Sequence, residues 1–232
     1  MKRRPKPKVL CYLCGAEAST RDHIPPVGLF PAPRPHNLVT VPACDSCNRG
    51  SSLHDEYFRV TVATGSRDSP QSIALLHQRI LPRMQSPALI AELMKSMRWT
   101  PIRSDGGIYL GHAPAFPIDR SRIQIVIEKI VKGLYHKHHN RRLPDDQTVA
   151  PYLYNPSIEQ GFQQAIAQLP LHNIGDGSVF SYRYCAGDGA YPLSYWFFMF
   201  YNDTTFFITQ TQAASNPQVN ADAAPTSAAP VT

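Results

Sequence analysis

The chain has 232 residues, 43% of them hydrophobic and 17% charged, which is enough apolar material for a packed core and too little charge for wholesale disorder. No apolar run approaches the ~18 residues a membrane span needs, so membrane-spanning, collagen-like and coiled-coil readings are excluded. The net charge of +6 is polarised: five basic residues and no acid fall in residues 1–8, seven basic residues against Glu128 alone in 120–142, and Arg183 against seven acids in 143–232. Such asymmetry suits a polyanionic partner, although a solvated basic helix face would read the same way.

In chain order, residues 1–8 read as a flexible basic arm. No apolar stretch follows them, so a secretory leader is not expected, and the chain is placed in the cytoplasm. Residues 9–60 are crowded with Cys, His, Asp and Asn, and carry Pro25, Pro26, Pro31, Pro33, Pro35 and Pro42. Each proline removes a backbone donor and biases its predecessor away from the helix, so short strands and loops are expected. Residues 69–98 read as helical, with a break at Pro82 and a restart at Ser86-Pro87. The stretch IRSDGGIYLGHAPAF contains turn signals around a short extended piece. Between Arg120 and His139, Ile123, Ile125 and Ile127 alternate as in a strand. Ile123, Ile127, Ile130, Val131 and Leu134 recur at helical spacing, and helix is the choice made, with Lys129, Lys132 and His136 on its opposite face. Asn155 to Leu169 is expected to be a short helix. From Ser178 onward, VFSYRYCA, LSYWFFMFYN and TFFITQTQ are aromatic and β-branched, and predict an antiparallel meander. Residues 213–232, rich in Ala, Pro, Ser and Thr, predict a disordered tail.

Four of five cysteines fall as Cys11-x2-Cys14 and, after an interval of 29 residues, Cys44-x2-Cys47. Two such knuckles let four thiolates close tetrahedrally on one structural zinc. A disulfide framework fits badly, because the cysteines are confined to a small part of a long chain. Cys185, alone in an expected strand, reads as a small core residue.

Between and after the knuckles come Asp22-His23-Ile24-Pro25, His36-Asn37-Leu38 and Asn48 directly after Cys47. This order resembles the HNH endonuclease superfamily in its zinc-stabilised form, the ββα-metal nucleases of bacteria and phages. The resemblance covers about residues 9–60. It implies an N-terminal zinc-stapled ββα-metal module over 9–65; with the central helices and C-terminal antiparallel meander read above as an accessory region over 66–212, the expected fold is α+β. It further implies a divalent-metal-dependent hydrolase of DNA phosphodiesters, with RNA left open as a substrate and no membrane partner. His23 would be the general base that activates water. Asp22 and Asn48 would ligate one catalytic Mg²⁺ or Mn²⁺, and Asn37 would bond the backbone of the loop that carries the histidine.

Several residues nearby have no assigned role. His36, His54, Asp55 and Glu56 are further potential ligands, although an acidic pair near a helix start is commonly a dipole effect. Arg49 suits phosphate contact or plain solvation. His136, His138 and His139 with Lys137 read as a phosphate-facing or solvated helix end. The alternatives to a nuclease are a non-catalytic zinc module that binds nucleic acid and a structural protein folded by zinc. A plain zinc ribbon, however, has no use for Asp22, His23 and Asn48.

Overall fold

The computed structural model describes residues 8–66, 69–80, 87–104, 106–153, 160–187, 193–202 and 205–214. The arm expected over 1–8 lies outside these residues except for Lys8, which pairs with Glu17 at 2.9 Å. A tight turn opens the folded part. The Cys11 amide donates to the Ala16 carbonyl at 2.7 Å, and Gly15 takes φ +76, a backbone conformation that side chains disfavour. Strands β1 (Thr20–Ile24) and β2 (Val39–Ala43) follow and pair antiparallel, with Asp22 opposite Val41 and His23 opposite Thr40. Burial alternates along both strands, as a sheet with one face on the core requires.

The expectation of strands and loops through residue 60 needs correcting beyond Ala43. The prolines end at Pro42 and do not resume until Pro70, and that interval forms helices α1 (Asp45–Gly50) and α2 (Ser52–Gly65). Helix α3 (Pro70–Leu75) runs into a π-helical turn at Leu76–Ile80. The break expected at Pro82 lies outside the described residues. Helix α4 (Pro87–Ser96) ends before Arg98, where strand β3 (Arg98–Arg103) begins and pairs with β4 (Tyr109–Ala115) as an exposed hairpin. Helical reading to residue 98 is therefore too long by two residues.

Arg120–His139 forms the long helix α5, capped by the Asp119 carboxylate on the amides of Ser121 and Arg122 and ended by Asn140 at φ 50. It packs against α2, β1 and β2. Close approach to β1 depends on Gly133, where an added Cβ would lie 2.4 Å from Ile24 Cγ1.

Beyond α5 come β5 (Gln147–Leu153), α6 (Gln160–Ala167), β6 (His172–Ile174), β7 (Phe180–Ala186), β8 (Ser194–Phe200) and β9 (Thr205–Ala213). The strands form one antiparallel sheet of order β5-β9-β8-β7-β6. Strands β5 and β6 were not foreseen, and the expected start of α6 at Asn155 lies outside the described residues. The tail expected from residue 213 starts later: Ala213 ends β9, and the Ala214 amide donates to the Asp146 carbonyl at 2.6 Å. Residues 215–232 lie outside the described residues.

One hydrophobic cluster runs through the whole fold, from Cys11 and Tyr12 to Phe207. Phe58 of α2 meets Phe200 and Phe207 of the sheet at ring-centroid distances of 5.5 and 5.8 Å, and the Tyr201 hydroxyl donates to the Leu29 carbonyl at 2.9 Å. The N-terminal residues thus borrow a core from the C-terminal sheet, as a short proline-rich segment must. No helix among the described residues is long and apolar enough to cross a membrane.

Candidate metal centre and adjoining cleft

The ligand atoms of Cys11, Cys14, Cys44 and Cys47 all lie within 4.8 Å of one another. Local structure brings them together. The turn before Ala16 presents Cys11 and Cys14. Cys44 caps α1, its sulfur accepting from the Cys47 amide at 3.5 Å, so the second pair sits on the helix start. Tyr12 and Ser19 donate backbone hydrogen bonds to Pro42 and Ala43, which ties the first turn to β2 at the second pair. The Ser46 hydroxyl and the Cys47 amide hold the Cys44 thiol down to about 6, whereas burial and then the neighbouring thiols push Cys47 up. Four sulfurs crowded in this way compete for negative charge, and a bound cation resolves that competition. The cluster could hold a metal ion.

A cleft of about 480 Å³ opens beside it, lined among others by Asp22, His23, Asn48, Asp55, Glu56 and Arg59. The three residues singled out as reactive in the sequence, from β1 and α1, therefore border one space. Asp22 is only 5% exposed. Its Oδ2 accepts from the Tyr12 hydroxyl at 2.9 Å and pairs with Lys129 Nζ at 3.2 Å, whereas Oδ1 accepts no hydrogen bond among the described residues. Burial and the Asp22 charge push the Tyr12 phenol well above its usual range, so Tyr12 acts as a donor. Asn48 behaves in parallel. Its Nδ2 donates to Thr20 Oγ1 at 3.1 Å and to the Arg21 carbonyl at 3.3 Å, which turns its unbonded Oδ1 away from β1. His23 is half-buried, and its ring has no hydrogen-bond partner among the described residues.

Asn37 is a correction. Its side chain does not reach the segment carrying His23: Oδ1 accepts from the Gly175 amide at 2.7 Å and Nδ2 donates to the Asn173 carbonyl at 3.4 Å. The loop between β1 and β2 leans on the C-terminal sheet there, and the amide serves that junction. The side chain that bonds the backbone of the histidine-bearing strand is instead that of Asn48.

The remaining candidates separate in the same way. His36 is exposed and does not border the cleft. His54 has a buried, unpartnered Nδ1 on α2 but is not among the residues bordering the cleft either. Asp55 and Glu56 do border it; Glu56 pairs with Arg59 at 3.8 Å, and burial pushes the Asp55 carboxyl up while Lys129 opposes the shift. Arg49 is occupied with Asp45 at 2.8 Å. The histidine-rich end of α5 is neither solvated nor phosphate-facing at His138. That ring meets the Tyr182 hydroxyl at 2.9 Å and the Tyr184 hydroxyl at 3.1 Å, because the helix end packs on β7. Cys185 is half-buried in β7.

The sequence places Lys129 on the face of α5 opposite its apolar residues, and that too is corrected. It is 3% exposed and contacts Asp22, Asp55 at 2.8 Å and Ser51 at 2.8 Å. The sequence carried one signal for it. Lys129 sits inside the apolar run from Ile123 to Leu134, one turn before Gly133, where the helix meets β1.

No protein-family model, no curated protein and no solved structure matches the chain.

Proposed function

We propose that the protein is a divalent-metal-dependent endonuclease that hydrolyses phosphodiester bonds in DNA, with a structural zinc in the four-cysteine cluster. One observation carries this reading: Asp22, His23 and Asn48 border a single cleft next to that cluster, on an antiparallel pair of strands followed by a helix, the order of a ββα-metal module. The donor set fits a hard cation. Asp22 and Asn48 each anchor one side-chain atom to the protein and retain one oxygen without a hydrogen bond, so these oxygens would hold Mg²⁺ or Mn²⁺. Such an ion, when bound, supplies positive charge against the phosphate oxygens as negative charge accumulates.

The chain's own residues supply the rest. His23 takes a proton from water as the water oxygen attacks phosphorus. The bond from phosphorus to the leaving sugar oxygen breaks, and that oxygen takes a proton from solvent. Asn48 holds the strand that carries His23 through its bond to the Arg21 carbonyl, which keeps the imidazole at the cleft. The basic surplus of the sequence, apart from Lys129, which is spent inside the protein, suits a polyanionic substrate.

A second reading is favoured by the Lys129–Asp22 contact at 3.2 Å, since an internal cation beside Asp22 also suits a non-catalytic zinc module that binds nucleic acid. A panel of supercoiled, linear, branched and single-stranded DNA, together with RNA, separates the two. The nuclease reading expects cutting of DNA with Mg²⁺ or Mn²⁺ that stops in EDTA. Salt-sensitive binding without cutting under any divalent ion would favour the second.

A further inference from the structure

Lys129 Nζ joins three elements. It contacts Asp22 Oδ2 of β1 at 3.2 Å, Asp55 Oδ2 of α2 at 2.8 Å and Ser51 Oγ at the start of α2 at 2.8 Å. Two of the three ammonium donors are spent in hydrogen bonds, to Ser51 and Asp55, and the Asp22 contact is an ion pair. Withdrawing a lysine from water to 3% exposure is costly unless it is paired, and Asp55 with Ser51 already provides a short ion pair and a neutral partner. The contact to Asp22 is additional, and it falls on a carboxylate that borders the cleft. A hydrogen-bond donor reaches the same oxygen from the N-terminal side of the chain: the Tyr12 hydroxyl, at 2.9 Å, from the turn between Cys11 and Cys14.

One hydrogen bond and one ion pair on Oδ2 leave the carboxylate little rotational freedom, while Oδ1 accepts no hydrogen bond among the described residues. We propose that Lys129 and Tyr12 are positioning residues, which clamp Asp22 by Oδ2 so that Oδ1 is presented to the divalent cation of the cleft. This rests on the nuclease reading for the cation itself. The physical gain is preorganisation: a carboxylate already fixed loses less freedom when it binds an ion, and partners that orient ligands in this way commonly govern affinity. The clamp also assigns α5, far along the chain from the cysteine knuckles, a direct part in the site.

The test uses the zinc-loaded full chain without DNA, titrated with Mn²⁺ and followed by electron paramagnetic resonance. Tyr12→Phe is expected to weaken Mn²⁺ binding about tenfold or more, whereas Lys129→Met removes the clamp together with a positive charge that repels the cation, so its loss of Mn²⁺ affinity is the smaller of the two. Zinc content and the thermal melt of the metal-free cleft report whether each variant is folded, since a purely structural role would lower the melt without touching Mn²⁺ affinity in the folded protein. Lys129→Met strands two carboxylates and is the variant at risk of not folding. Tyr12→Phe loses one hydroxyl, and it decides the question in that case. Wild-type Mn²⁺ affinity in folded Tyr12→Phe overturns the clamp and leaves the nuclease reading standing. Absence of Mn²⁺ binding by the unmodified protein overturns both.

Discussion

The phenol of Tyr12, from the turn between Cys11 and Cys14, donates a 2.9 Å hydrogen bond to the carboxylate of Asp22. The cysteine cluster and the cleft are therefore mechanically connected, and disturbing one disturbs the other. Cys44→Ser removes one of four clustered sulfurs and is expected to lower zinc content and reduce the melting temperature by roughly 6–12 °C, the equivalent of about 3 kcal/mol in a chain of this size. Calorimetry with metal quantification checks it, and an unchanged melt with full zinc would contradict the structural role.

Helix α5 reaches β1 only because residue 133 lacks a side chain. Gly133→Ala would place a methyl group 2.4 Å from Ile24 Cγ1, and is expected to cost about 1–3 kcal/mol in denaturant unfolding. Trimming the partner in the double variant Ile24→Ala/Gly133→Ala should return part of that cost. If the single variant unfolds like the unmodified protein, the close approach of helix and strand is not as described.

Asn37 separates a catalytic signature from a structural junction. Because its amide bonds Gly175 and Asn173, Asn37→Ala is expected to cost about 1 kcal/mol of stability while the folded fraction cuts DNA at an unchanged rate. Full stability with abolished cutting would restore the role implied by the resemblance.

His138 makes stability depend on pH. Burial, then the neighbouring charges of His172, Lys137 and His139, holds its imidazole at about 4, below the ordinary 6.5. The unfolded chain therefore binds the proton more readily between those values, so this contribution is complete above pH 6.5 and is lost as pH falls towards 4. Burial shifts His136, His139 and His172 in the same direction. The melting temperature is expected to drop across that window, and less steeply in His138→Asn. Equal slopes in the two proteins would contradict it.

What could be read in the sequence follows from how local its cause is. The clustering of the four cysteines and the meeting of Asp22, His23 and Asn48 at one cleft were legible because each depends on spacing within a turn or on the residue after a knuckle. The aromatic strands β7 to β9 were legible by composition, and α5 by its spacing of apolar residues. Asn37 was misassigned because its partners, Gly175 and Asn173, lie far away along the chain. Lys129 was misassigned for a similar reason: a lysine on a helix normally marks solvent, and it is the buried Asp22, the part-buried Asp55 and Ser51 that give it cause to point inward. Strand β5 was hidden because Pro151 breaks the usual pattern, yet it pairs with β9 at the edge of the sheet, where a missing donor is tolerated.

The most direct measurement is single-turnover cleavage of plasmid DNA in Mg²⁺ by zinc-loaded His23→Ala beside the unmodified protein, with zinc content and melting temperature recorded for both. The expected result is a rate at least about a hundredfold lower with zinc and fold retained, the size of a lost general base. Undiminished cutting by the folded variant would contradict His23 as the base, and with it the chemistry assigned to the cleft.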